Sequence, residues 1–193
     1  MTLLPVLCIY NVIMPLRSAI LALAVVAALI APATTATARP ISPDADYLIS
    51  AHQGNLTQIL AGRTAAGKAL KPEVRKMGAT MATYHAKLDL EVQQTARTLD
   101  VKLPAQPNSE QLALIEQYRI APAAVFDKLY LDTQIPAHDH ALKITRILLA
   151  TGTDPAVRRI AETASPIIQQ HRDALAAVTS TIPVKTANPK RHT

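Results

Sequence analysis

From Asp44 to Val178 apolar residues recur every three or four positions, and no stretch alternates in the manner of a strand. A chain patterned this way buries a stripe on each of several helices. Proline and glycine divide it into four long helices and one short one. The first is expected over about Asp44–Ala66, with Asp44 as its cap, Leu48, His52, Leu56, Ile59 and Leu60 facing inward, and Gly67 as its end. The second opens at Lys71-Pro72-Glu73, where proline removes a donor that has no partner in a first turn, and its seam includes Val74, Met81, His85, Leu88, Val92 and Leu99.

Leu103-Pro-Ala-Gln-Pro107 then breaks the chain, and Asn108-Ser109-Glu110 restarts a short helix through Ile120, expected to cross the end of the bundle. Pro122 opens the third long helix, with Val125, Phe126, Tyr130, His138, Ile144 and Leu148 inside and a kink at Pro136. Asp154-Pro155 caps the fourth, which carries the cleanest stripe: Val157, Ile160, Ala164, Ile168, His171 and Leu175. Short connections at Gly67 and Gly152 make neighbours antiparallel. The expectation is an all-α, antiparallel up-down four-helix bundle with a short crossing helix between helices 2 and 3.

Ahead of the helices, Met14-Pro-Leu-Arg17, the apolar run Ala19–Ala31 and Ala36-Thr37-Ala38 have the basic start, hydrophobic segment and small-x-small site of a secretory signal peptide. The expected organisation is therefore a signal peptide over 1–38 with a start at Met1 or Met14, a linker over 39–43, a bundle domain over 44–178 and a basic tail over 179–193. An uncleaved anchor is the alternative, since Ser18–Ala33 is near the lower length limit for a bilayer span. The export reading places the protein in the periplasm or at the outer membrane. Cleavage removes the single cysteine, Cys8, so the remaining domain has no disulfide and no thiolate ligand.

The net charge of +6 is carried by scattered basic residues with few aromatics between them, which argues against a nucleic-acid surface. Association with the envelope or an anionic membrane surface is the milder reading of that charge. Gly62-Arg-Thr-Ala-Ala-Gly67-Lys68-Ala69 nearly spells a phosphate-binding loop, but Ala69 replaces the hydroxyl residue and no strand precedes it. Nucleotide binding is therefore not expected. With no GxSxG motif and no thiol after processing, hydrolase templates have no foothold either.

His52, His85, His138 and His171 sit on the apolar stripe of four different helices. Counted from the turns, His52 and His85 stand about 22 to 24 Å up one hairpin, and His138 and His171 about 20 and 26 Å up the other. Neutral imidazole binds zinc, copper and iron, and helices roughly 8 to 10 Å apart let several rings meet around one ion. Asp89, one turn after His85, is a further candidate ligand. The rival reading is a polar layer in which each ring hydrogen-bonds Gln58, Asp89, Gln134 or Tyr130. His140 points roughly 160° away from His138 and is expected at the surface.

The ordered set Met81-Ala-Thr-Tyr-His85, Phe126-Asp127-Lys-Leu-Tyr130 leading to His138, and Ser165-Pro166 leading to His171 resembles the domain of unknown function 4142 family. That resemblance covers about Asp44–Val178 and implies an exported, ferritin-like helical bundle, without implying a reaction. The family pattern has Asp where this chain has Tyr84, Glu where it has Gln58 and Leu-Pro where it has Ser165-Pro166. The missing carboxylates argue against a ferritin-type di-iron site, which draws on several inward Glu and on Glu-x-x-His pairs. An all-imidazole or mixed imidazole-carboxylate mononuclear site is the expected form of any centre. The sequence thus leads to an exported bundle that binds a transition metal through His52, His85, His138 and His171. A metal-free structural or interaction module of the cell envelope is the alternative, and an oxidative metalloenzyme ranks third.

Overall fold

Proline marks the start of every long helix. The computed structural model describes residues 42–180, in which α1 spans Pro43–Lys68, α2 Pro72–Thr98, α3 Ser109–Ile120, α4 Ala123–Thr151 and α5 Pro155–Ser180, with no strand among the described residues. Pro43 and Pro72 lie in first turns, Pro122 is the cap of α4, and Pro155 begins α5. Each puts a residue without an amide hydrogen where a helix leaves hydrogens unpaired. Asn108 and Gln111 form a reciprocal capping box at the start of α3. Gly67 lies inside α1, and α4 and α5 continue through Pro136 and Pro166. The candidate leader over 1–38 lies outside the described residues, as does the tail from residue 181 onward. No described helix is long and apolar enough to cross a membrane.

Asp44, expected as a cap, has a different task. Ser42 caps α1 through its hydroxyl, which accepts from the Ala45 amide at 3.2 Å. Asp44 is buried, and its carboxylate accepts from the Thr153 amide at 3.1 Å and the Thr153 hydroxyl at 3.0 Å, in the α4–α5 turn. Asp127 near the start of α4 does the same for the α1–α2 turn, accepting from the Leu70 and Lys71 amides at 3.0 and 2.8 Å. Each hairpin turn is thereby tied to the first helix of the other hairpin. A tyrosine follows each aspartate by one turn, Tyr47 and Tyr130, and both are buried.

These ties lay α1 against α4 head to tail, so α2 and α4 run in the same direction. The expected crossing at the bundle end is corrected accordingly: the α2–α4 connection travels lengthwise along α1. Its contacts with α1 occur in order, from the Pro104 carbonyl beside His52 to the Tyr118 and Arg119 carbonyls, which accept from Lys68 Nζ at 2.9 and 2.7 Å. The 12 residues of α3 cover about 18 Å of that path. Lys68, the lysine of the false phosphate loop, thus closes the C-terminus of α3.

The backbones of α1 and α2 approach closely at Gly62 and Gly78. A Cβ on Gly62 would overlap the Gly78 carbonyl oxygen, and one on Gly78 would lie 2.7 Å from both Ala65 Cβ and the Gly62 carbonyl oxygen. Gly54, on the same helix, has nothing within 4 Å of the equivalent position. Helix propensity alone makes Gly→Ala favourable by about 1 kcal/mol, whereas forcing atoms into a packed contact costs roughly 1–3 kcal/mol. Gly54→Ala is expected to raise the midpoint of urea unfolding and Gly62→Ala to lower it. Two shifts of the same sign would show that the backbones do not meet there.

Aromatic residues Tyr118, Phe126 and Tyr130 pack at one end of the core with ring centroids 5.7 to 5.9 Å apart. Tyr47, Leu48, Val92, Leu148, Val157 and Ile160 fill the other end, and Leu88, Leu142, Ala164 and Ile168 lie between them. Leu60, Leu99 and Val125, expected inside, are exposed. In each helix an adjacent or next-turn residue, such as Phe126 beside Val125, takes the inward position instead.

Candidate metal centre

α2, α4 and α5 each turn one histidine into the middle of the bundle. His85, His138 and His171 are 5%, 1% and 6% exposed, and one ring nitrogen of each lies within 4.8 Å of one from both others. Their ring centroids are 6.0 Å apart for His85–His138, 5.5 Å for His85–His171 and 5.8 Å for His138–His171. Tyr84 packs edge-on against His171 at 5.5 Å. Among the described residues, no other group of three or more histidine, cysteine or acidic side chains converges in this way.

Two of the rings have a fixed tautomer. His85 Nδ1 donates to Asn55 Oδ1 at 2.9 Å, and His138 Nδ1 donates to the Gln134 carbonyl at 2.8 Å, one turn back in α4. The other nitrogen, Nε2, then carries a lone pair in both rings, and neither has a hydrogen-bond partner. His171 Nδ1 is likewise buried and without a partner. Anchoring one imidazole nitrogen so that the other presents its lone pair is how proteins prepare metal-ligating histidines.

Burial, the leading cause, keeps all three rings neutral. It pushes His85 down to about 3, with repulsion from His138 and His171 adding to the effect, and His171 down to about 4, with repulsion from His138. His138 is also lowered by burial, against the opposing pull of the Gln134 carbonyl and Asp139. Neutral imidazole is the form that binds metal. Each unpaired buried nitrogen costs roughly 1–3 kcal/mol.

His52 does not join them. Its Nδ1 lies 2.7 Å from Asp89 Oδ1 and its Nε2 3.0 Å from the Pro104 carbonyl, so both nitrogens face acceptors. Asp89 also accepts from Gln93 Nε2 at 2.5 Å, so both oxygens of the candidate carboxylate are engaged. The expected four-ring centre with Asp89 is corrected to three rings plus a separate His52–Asp89 pair. The reason is register: α2 begins at Pro72, which sets His52 level with Asp89 and brings Asn55, one turn on, level with His85. Asn55 was missed because an asparagine on an apolar stripe reads as an interruption; its spacing of three from His52 is the available signal. His140 is exposed, as its helical phase requires.

The set fits a borderline transition metal such as zinc, copper or iron: three neutral nitrogens, no thiolate and no carboxylate among the converging groups. It lacks the inward glutamates of a carboxylate-bridged di-iron centre.

An all-helical bundle with a buried histidine cluster is the class that this fold and site define. The chain belongs to the family described as the domain of unknown function 4142, whose model matches residues 30–178. Among solved structures it is similar to a conserved hypothetical protein, rv2844, from Mycobacterium tuberculosis, with 17% identity and a TM-score of 0.60, over 76% of this chain and 97% of that one. At that identity the likeness speaks for the fold. No curated protein matches.

Proposed function

We propose that the protein is an exported helical bundle of ferritin-like order that holds one transition-metal ion through His85, His138 and His171. The observation that carries this reading is the convergence of three buried imidazoles whose unpaired nitrogens have no donor to meet. The ferritin-like order is supported by two hairpins joined through one long lengthwise connection, as in that bundle class. Export is supported by the Met14–Ala38 pattern, and N-terminal sequencing of protein recovered from the periplasm tests it, with a start just after Ala38 expected.

Three protein ligands are the number found where a site keeps a position for a further ligand, whereas closed structural zinc sites take four. The bundle supplies the dry surroundings and Asn55 and Gln134 orient two of the rings; no reaction is proposed. Tag-free mature protein loaded with zinc or cobalt(II) and then dialysed is expected to retain one equivalent, measured by elemental analysis. Retention of none would leave the histidines as a structural polar layer and the protein as an envelope scaffold or interaction module.

A further inference from the structure

A cavity of about 400 Å³ opens beside the histidines. Asp44 and Asp127 tie the groove between α1 and α4 at its two ends, and α3 lies over its middle, bringing Asn108, Glu110 and Gln111 to the mouth. That volume falls within the range of small-molecule sites. Leu88, Val92, Ala141, Ile144, Ala164 and Ile168 make the walls apolar.

Polar atoms enter at the inner end, where Gln58 and Gln134 line the cavity together with His85 and His138. Gln134 is 0% and Gln58 7% exposed, and the side-chain oxygen of each has no hydrogen-bond partner. The Gln134 amide is locked in that orientation. Its Nε2 donates to the Tyr118 hydroxyl at 3.0 Å, Tyr118 is bonded to the Thr133 hydroxyl, and Thr133 donates to the Leu129 carbonyl at 2.6 Å. The fold therefore encloses, beside the cavity, an acceptor with nothing to accept from, which is costly unless a ligand supplies the donor. The only carboxylate of the lining, Glu110, is at the exposed mouth, so a cationic ligand would be left uncompensated at the inner end.

We propose that this cavity binds a small, uncharged, largely apolar molecule bearing a hydroxyl group, which donates to Gln134 Oε1 while the hydrocarbon body lies against Leu88, Ala141 and Ile168. The proposal stands on the cavity and the amide oxygen and does not require the ion.

The test is fluorescence titration of the mature protein, metal-free and zinc-loaded, with 2-naphthol, and with naphthalene as the analogue lacking the hydroxyl. Saturable one-site binding of naphthol is expected, with naphthalene weaker by about tenfold, the worth of one hydrogen bond. Gln134→Leu should equalise the two probes, and Ala141→Phe, which fills the cavity, should weaken naphthol by at least about tenfold with helical circular dichroism unchanged. Absence of saturable binding, equal affinity of the two probes for wild type, or discrimination that survives Gln134→Leu would overturn the proposal. Should Ala141→Phe fail to fold, the two-probe comparison in wild type and Gln134→Leu decides it. Naphthol binding without zinc uptake would remove the metal centre and keep the cavity site, and zinc uptake without naphthol binding would do the reverse.

Discussion

Replacing His138 and His171 together with alanine is expected to abolish stoichiometric metal uptake while leaving the far-ultraviolet circular dichroism helical. The two residues supply two of the three converging nitrogens, and one remaining imidazole is a weak ligand alone. His52→Ala is the matched control. It should keep full uptake, because both His52 nitrogens are engaged by Asp89 and Pro104, yet it should lower stability by roughly 1–3 kcal/mol by leaving Asp89 short of a partner. Equilibrium dialysis followed by elemental analysis reads the first effect and urea unfolding the second. Loss of uptake in His52→Ala would return that residue to the centre and contradict the three-ring geometry.

The metal-free protein is expected to lose stability steeply as pH falls from about 6.5 toward 4. His85 and His171 titrate at about 3 and about 4 in the fold, against 6.5 for a free ring. Between those values the unfolded chain binds protons that the folded one refuses, so acid favours unfolding. The stabilising contribution is complete above pH 6.5 and is withdrawn as pH drops through the window, on the order of a few kcal/mol in total. Thermal melts of EDTA-treated protein at pH 7, 5.5 and 4.5 check this, and His85→Leu should flatten the dependence. A melting temperature as high at pH 4.5 as at pH 7 would show that the rings are not held in a dry interior. Bound metal would add to the same slope, since the ion competes with protons for the same lone pairs.

Much of the bundle was legible because helices leave local marks. Pro72, Pro122 and Pro155 set three of the starts, the three-four stripes set the inner faces, and the observed boundaries fall within a few residues of those expected. Level along the bundle was less legible. It depends on where a helix begins after its turn, and four residues of α2, from His85 to Asp89, separate the level of Asn55 from that of His52. The path of the α2–α4 connection was hidden for a different reason. Asp44 and Asp127 decide it by tying distant turns, and an aspartate in a first helical turn reads locally as a cap or a dipole partner. The amide oxygens of Gln58 and Gln134 belong to the same class: their meaning lies in what fails to reach them.

Zinc K-edge X-ray absorption on the loaded, dialysed protein tests most directly whether the three rings share an ion. The expected spectrum contains the outer-shell scattering of three imidazoles per zinc, with nitrogen at about 2.0–2.1 Å, and shows fewer imidazoles when His85, His138 or His171 is replaced singly. A spectrum without imidazole scattering, or one that changes with His52 instead, would contradict a centre built from α2, α4 and α5.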